Sequence, residues 1–133
     1  MKRLAAVCLV AGLVPAPAGA ADEPPQLSEG WRFDQRGGAA LYRAICQGCH
    51  MADGRGAEGA GRYPALAANP RLVAPNYVVA IVLQGRRAMP AFDEVLDDDQ
   101  VAAVVGYVCT QLGGQPAGRV SAADVKSFRR GSR

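Results

Sequence analysis

Cys46, Cys49 and His50 are the residues of this chain whose types and spacing most directly spell out a chemistry. They stand in the run Cys46-Gln47-Gly48-Cys49-His50, with two thiols three residues apart and an imidazole beside the second. On one turn of helix, two such thiols can each add to a vinyl side of the same porphyrin. Two thioethers then hold the ring, and the histidine falls beneath it with its imidazole aimed at the iron. Neutral imidazole is a good ligand to haem iron, so the pattern is that of covalent c-type haem attachment with His50 as proximal ligand.

Two other chemistries use paired cysteines. A thioredoxin-like redox pair follows a strand in a βαβ unit, whereas Gly37 to Ile45 reads as a helix rich in small residues. A zinc site needs further ligands, and His50 is the single histidine.

Iron bound by His50 alone would be open on its far face. Of the three methionines, Met1 belongs to the leader described below, and Met51, adjacent to His50 on the proximal side, cannot reach around the ring. Met89 remains, in a loop stiffened by Pro90. Its thioether is a soft ligand that favours ferrous iron and raises the reduction potential. Filling a gap in the core is the ordinary alternative for a methionine. As ligands, the His50 nitrogen and the Met89 sulfur would face each other across a slot.

The elements that must position these groups are helices. From Gly38 to Cys46, Gly38, Tyr42, Ile45 and Cys46 share one face. Glycine there costs about 1 kcal/mol of helix propensity, which close approach of another helix would explain. After His50 the chain reads as loop, punctuated by Gly54, Gly56, Gly59 and Gly61, with an apolar Tyr63-Pro64-Ala65-Leu66 inside it. A second helix is expected from Pro75 to Gln84, with Val78, Ile81 and Val82 as its buried stripe and Gly85 as its end. The last strong helix starts at Asp97, which forms a capping-box pattern with Gln100. Val101, Val104, Val105, Val108 and Leu112 follow at helical spacing, and Gly113-Gly114 stops it. The tail from Gln115 has the makings of a short helix capped by Ser121.

With these motifs in place, residues 37–114 resemble a class I c-type cytochrome. Gly38 and Tyr42 resemble that family's first helix, which crosses the terminal one where Tyr107 matches the family's aromatic residue. The run Gly85-Arg86-Arg87-Ala88-Met89-Pro90-Ala91-Phe92 resembles its axial methionine loop. The resemblance implies an all-α fold, three to four helices wrapped around one covalently attached haem c. It implies a binding set of Cys46, Cys49, His50, Met89, Pro64 and Leu66, with His50 and Met89 on the iron. By the same analogy Pro64 offers its carbonyl to the other ring nitrogen of His50, and Leu66 covers the porphyrin. The methionine loop and the tail segment Val120 to Val125 look like those of small cytochromes serving periplasmic dehydrogenases. Two residues depart from the pattern: Met51 stands where the family often has glycine, and Cys109 where a polar residue is common.

The flanks are read differently. Lys2 and Arg3, the apolar run Leu4 to Val14 and the small residues Ala18-Gly19-Ala20 form a secretory leader over 1–20, which would take Cys8 with it. Residues 21–36, with Pro24, Pro25, Ser28 and Gly30, read as a linker, and 115–133 as a basic tail. Export to the periplasm and haem attachment agree, and after cleavage no spanning segment is expected. Cys109 is left as a lone thiol, read as a buried small hydrophobe beside Val105, Val108 and Leu112.

The 15 basic and 12 acidic residues come nearly into balance once Lys2 and Arg3 leave, which gives nucleic-acid binding no support. Iron with both axial positions filled has no vacancy for substrate or oxygen, so no catalytic residue is expected and one-electron exchange remains. A peroxidase would need an open distal face and catalytic polar groups. A haem sensor would need a displaceable ligand and an output module. The expected partner is a redox protein: a periplasmic dehydrogenase, a downstream acceptor, or both. The chain could equally be a fixed cytochrome subunit of a flavin, molybdenum or quinoprotein dehydrogenase. Arg55, Arg62, Arg86 and Arg87 are expected to border the haem and meet an acidic partner. Leu66, Val82, Ala91, Phe92 and Val105 are expected to keep water from it, and Arg86, Arg87, Tyr77 and Asn69 to hold its propionates.

Overall fold

A computed structural model of the chain describes residues 32–59, 61–116 and 120–131. The expected leader over 1–20, with Cys8 and the cleavage point at Ala20, and most of the linker over 21–36 lie outside the described residues.

The first helix is where expected, but it is not uniform. α1 (Gly38–Leu41) runs into a π-helical turn, Tyr42–Cys46, and then into α2 (Gln47–His50). The wider turn carries Cys46 into the attachment motif, and such insertions recur at functional sites. Gly38 earns its place by contact. A Cβ built there would lie 2.2 Å from the Ala103 carbonyl oxygen and 2.7 Å from the Tyr107 Cβ. Four residues on, the Tyr42 and Tyr107 rings pack at a centroid distance of 5.5 Å. The Tyr42 hydroxyl donates to the Met51 carbonyl at 2.7 Å. Burial, helped by negative charge at Cys46, Tyr107 and Asp53, pushes that phenol up to about 12.

α3 (Pro75–Gln84) has its proline in the first turn and stops at Gly85, whose φ of 68° suits glycine. Its buried residues are Val78, Val79 and Leu83, not the expected Val78, Ile81 and Val82. Ile81 and Val82 are only partly covered because they line the cavity described below. α4 (Asp98–Tyr107) continues into a second π-helical stretch, Val108–Leu112. Its capping box forms in full: the Gln100 amide donates to Asp97 Oδ1 at 2.8 Å, and the Asp97 amide donates to Gln100 Oε1 at 3.0 Å. That amide bond, with the Arg36 guanidinium, holds the Asp97 carboxyl below its usual range against a smaller opposing effect of burial. Gln100 is itself buried, and its Nε2 donates to the carbonyls of Phe33 and Gln35, stitching the chain before α1 onto α4.

Two elements lie in stretches read as loop. β1 (Ala57–Glu58) pairs antiparallel with β2 (Arg62–Tyr63), and a 3-10 turn spans Pro70–Val73. The tail helix is longer than expected. α5 (Ala122–Gly131) is capped through Ser121, whose Oγ accepts the Asp124 amide at 3.2 Å while the Ser121 amide donates to Asp124 Oδ2 at 2.9 Å. Its Val125 is fully buried, and Val120 and Phe128 pack against the same core. Leu41, Tyr42, Val79, Val101, Val105 and Cys109 are fully or almost fully buried there too. Cys109 is therefore the small buried hydrophobe its neighbours foretold, and burial raises its thiol pKa. The fold is all-α with a short ribbon, and among the described residues no helix is long and apolar enough to cross a membrane.

Candidate functional site

The helices enclose one side of a cavity of about 1280 Å³, larger than the usual small-molecule pocket of roughly 300–1,000 Å³. Cys46, Cys49, His50 and Met89 all line it, Met89 from the loop that follows α3. Ile45, Leu66, Val78, Ile81, Val82, Phe92, Val104, Val105 and Val108 supply its apolar lining.

Around His50 the imidazole is held by backbone. His50 Nδ1 lies 3.0 Å from the Pro64 carbonyl oxygen. A carbonyl can only accept, so Nδ1 carries the proton of this bond, which leaves Nε2 as the ring nitrogen for a metal. Glycines bring Pro64 there. Gly56, at φ 71°, accommodates the Tyr63 carbonyl oxygen 2.2 Å from where its Cβ would be. The Gly54 carbonyl accepts both the Leu66 amide at 2.6 Å and the Ala67 amide at 2.9 Å. Met51 leaves the helix at φ 63°, a conformation that glycine adopts at less cost. Burial, with charge at Cys49 adding to it, pushes the Cys46 thiol up to about 12.

Around Met89 a tight turn does the work. Arg86 and Met89 exchange backbone hydrogen bonds of 3.0 Å in both directions, and Arg87 between them sits at φ 56°. Gly85 packs beneath the turn, where a Cβ would lie 2.6 Å from the Met89 carbonyl oxygen. The Phe92 amide then donates to the Val82 carbonyl at 3.0 Å, tying the loop to α3.

Of the residues expected to keep water out, Leu66, Val82, Phe92 and Val105 line the cavity. Ala91 does not, because the chain beyond Pro90 turns it outward to solvent. At the rim, Arg86 Nη1 donates to the Tyr77 hydroxyl at 3.1 Å, and Arg87 is close by. Asn69 also lines the cavity; one Nδ2 hydrogen goes to the Ala65 carbonyl at 2.8 Å, and its Oδ1 accepts the Arg71 amide at 3.0 Å. Arg71 also lines the cavity and was missed from sequence, because the 3-10 turn that carries it was missed. Arg55 and Arg62 border the same opening, paired with Asp53 and Glu58 at 3.5 and 3.0 Å.

These residues fit a haem. An apolar cavity is lined by two thiols and by an imidazole held at Nδ1, and by exposed arginines suited to carboxylates. Comparison with known proteins agrees. Residues 33–108 match the family described as cytochrome C oxidase, cbb3-type, subunit III. The chain is 37% identical over 111 residues to the fructose dehydrogenase cytochrome subunit of Gluconobacter japonicus, covering 72% of this chain and 22% of that subunit. It is 34% identical over 105 residues to the cytochrome c subunit of the quinone alcohol dehydrogenase of Gluconacetobacter polyoxogenes, covering 69% of this chain and again 22% of the relative. The chain thus matches only about a fifth of the length of those subunits. Against cytochrome c6 of Leptolyngbya boryana it is 38% identical over 77 residues, 56% of this chain and 89% of the relative. The chain belongs to this family of c-type cytochromes, and as a member of it is an electron-transfer protein whose haem c is joined covalently to Cys46 and Cys49.

Proposed function

We propose that the protein is an exported, periplasmic one-electron carrier whose haem iron is ligated on both faces, by His50 and by Met89. In this reading the leader over 1–20 is cleaved, residues 21–36 link, 37–114 hold the haem and 115–133 follow as a tail. The observation that carries the proposal is the shared cavity, whose lining includes both the oriented imidazole of His50 and Met89.

When bound, the haem supplies reversible one-electron exchange at its iron. The chain's own residues do the rest. Pro64 fixes the His50 tautomer and ring direction, and Leu66 covers the proximal side. The Arg86–Met89 turn presents the sulfur. Val82, Phe92 and Val105 keep the site dry, and a dry site disfavours the extra positive charge of the oxidised state. Arg86, steadied by Tyr77, and Arg87 are the donors for carboxylates at the mouth.

The partner is a redox protein presenting an acidic patch to Arg55, Arg62, Arg86 and Arg87. Transient redox contacts are small and rely on complementary charge for their rates. Exchange should therefore slow with salt, since exposed charges are screened beyond about 10 Å at 0.1 M. A fixed place in a dehydrogenase is the second reading, and the named cytochrome subunits among the relatives favour it. An exchange rate indifferent to salt would select that reading over the shuttle.

The ligand assignment is tested by the reduced spectrum with and without carbon monoxide. We expect no change in the wild type, and Met89→Ala should bind carbon monoxide and lower the potential. A variant with the wild-type spectrum would leave Met89 as packing only.

A further inference from the structure

Arg129, near the end of α5, turns its guanidinium toward the segment that follows the methionine loop. Its Nε donates to Asp98 Oδ1 at 2.6 Å, its Nη2 donates to the Leu96 carbonyl at 2.6 Å, and its Nη1 donates to the Asp93 carbonyl. The two side chains are only 21% and 28% exposed, unlike the open pairs Arg55–Asp53 and Arg62–Glu58. A planar guanidinium suits three acceptors fixed in different directions, where an ammonium would hold fewer at once. Leu96, one of the residues so held, is buried, and α5 is itself pinned by the fully buried Val125. The clasp therefore rides on packed structure.

The chain between this clasp and the site is short and tied. Met89 exchanges backbone bonds with Arg86, Phe92 is bonded to Val82, and the Leu96 amide donates to the Phe92 carbonyl at 3.0 Å. Asp93 follows Phe92 directly. Freedom gained at residues 93–96 thus reaches Phe92 and Met89 through covalent neighbours and a single turn.

We infer that Arg129 is a positioning residue for Met89, holding the distal loop closed from a helix that lies outside the cavity. The inference rests on the reading that Met89 ligates the iron. With the clasp released, the loop spends more time open, and the apparent affinity of an added ligand rises in proportion to that open fraction.

The test uses the full haem-loaded protein and its variants Arg129→Gln, Arg129→Lys and Leu41→Ala. Leu41 is fully buried in α1 and does not line the cavity, so its loss lowers stability without touching the clasp. Imidazole affinity of the ferric protein, the sulfur-to-iron absorption band, the potential and Tm are measured together. Arg129→Gln should bind imidazole about tenfold more tightly, with a weaker band and a lower potential. Arg129→Lys should fall between it and the wild type, and it carries the test if the glutamine variant does not fold. Leu41→Ala should lower Tm and leave imidazole affinity unchanged. Wild-type affinity in both Arg129 variants, whatever their Tm, overturns the inference, as does an equal shift in Leu41→Ala. If the wild type has no sulfur-to-iron band, the ligand assignment fails and takes the clasp with it. A normal wild-type band beside unchanged Arg129 variants overturns the clasp alone.

Discussion

The two segments that bring His50 and Met89 to the cavity, proximal and distal in the proposed reading, are built on different physical terms. The proximal wall is helix plus covalent chemistry: α2 sets the spacing of Cys49 and His50, and Pro64 locks the imidazole through a backbone carbonyl. The distal wall is a loop, held by a reciprocal pair of backbone bonds across Arg86 and Met89, a glycine beneath it and a helix behind it. A helical turn keeps its geometry through many bonds at once, whereas a turn of this kind depends on each of a few. Damage to the proximal side should therefore remove the cofactor or the fold. Damage to the distal side should leave the cofactor in place and change what the iron binds.

The largest test is Cys46→Ser combined with Cys49→Ser. It should abolish covalent attachment, so that acidic acetone extracts any haem present, and leave a poorly folded chain by circular dichroism. With the cavity of about 1280 Å³ left unfilled, a domain this small has little other apolar burial to hold it. Next is Gly38→Ala, which forces a methyl into the Ala103 carbonyl and the Tyr107 side chain. A cost of about 3 kcal/mol is expected in thermal or denaturant unfolding, since overpacking has little room to relax at a helix crossing. Normal haem attachment with a normal Tm in that variant would mean that the crossing is loose.

Gly85→Ala sharpens the comparison from the other side. The new methyl meets the Met89 carbonyl, and a non-glycine residue must hold a φ of 68°. About 1–3 kcal/mol is expected, spent on the loop, so the haem should stay attached while carbon monoxide gains access. If stability falls and the site remains closed, the distal loop is stiffer than its hydrogen bonds indicate. The smallest effect is Met51→Gly, which relieves a residue at φ 63°. It should raise stability by up to about 1 kcal/mol, partly offset by the greater freedom glycine gives the unfolded chain. The spectrum should not move, because the residue leaves the helix beyond His50 and its carbonyl stays on the Tyr42 hydroxyl.

Local rules sufficed for whatever depends on near neighbours in sequence. The attachment motif, the capping box at Asp97 and Gln100, the proline start and glycine end of α3, and the valine spacing of α4 were all legible, because each is set within one or two turns of chain. Cys109 was legible as core for the same reason. Resemblance to class I cytochromes supplied the Pro64 contact to His50, and the Gly38 contact to Tyr107 follows the same pattern. Neither is computable from spacing, since each joins residues brought together by the fold.

The tertiary structure decided the rest. Which face of α3 is buried could not be read from its apolar stripe, because Ile81 and Val82 face a cavity that is itself apolar. Ala91 turned outward through the backbone path after Pro90, which composition does not reveal. The β-ribbon depends on pairing Ala57 with Tyr63 across a glycine loop, a weak signal in two-residue strands. The docking of α5 is the clearest case. In sequence, Arg129 is one cation in a basic tail and Asp98 one anion in an acidic cluster. Only packing around Val125 brings them within 2.6 Å, because an ion pair between distant segments forms after the apolar core has fixed where those segments lie.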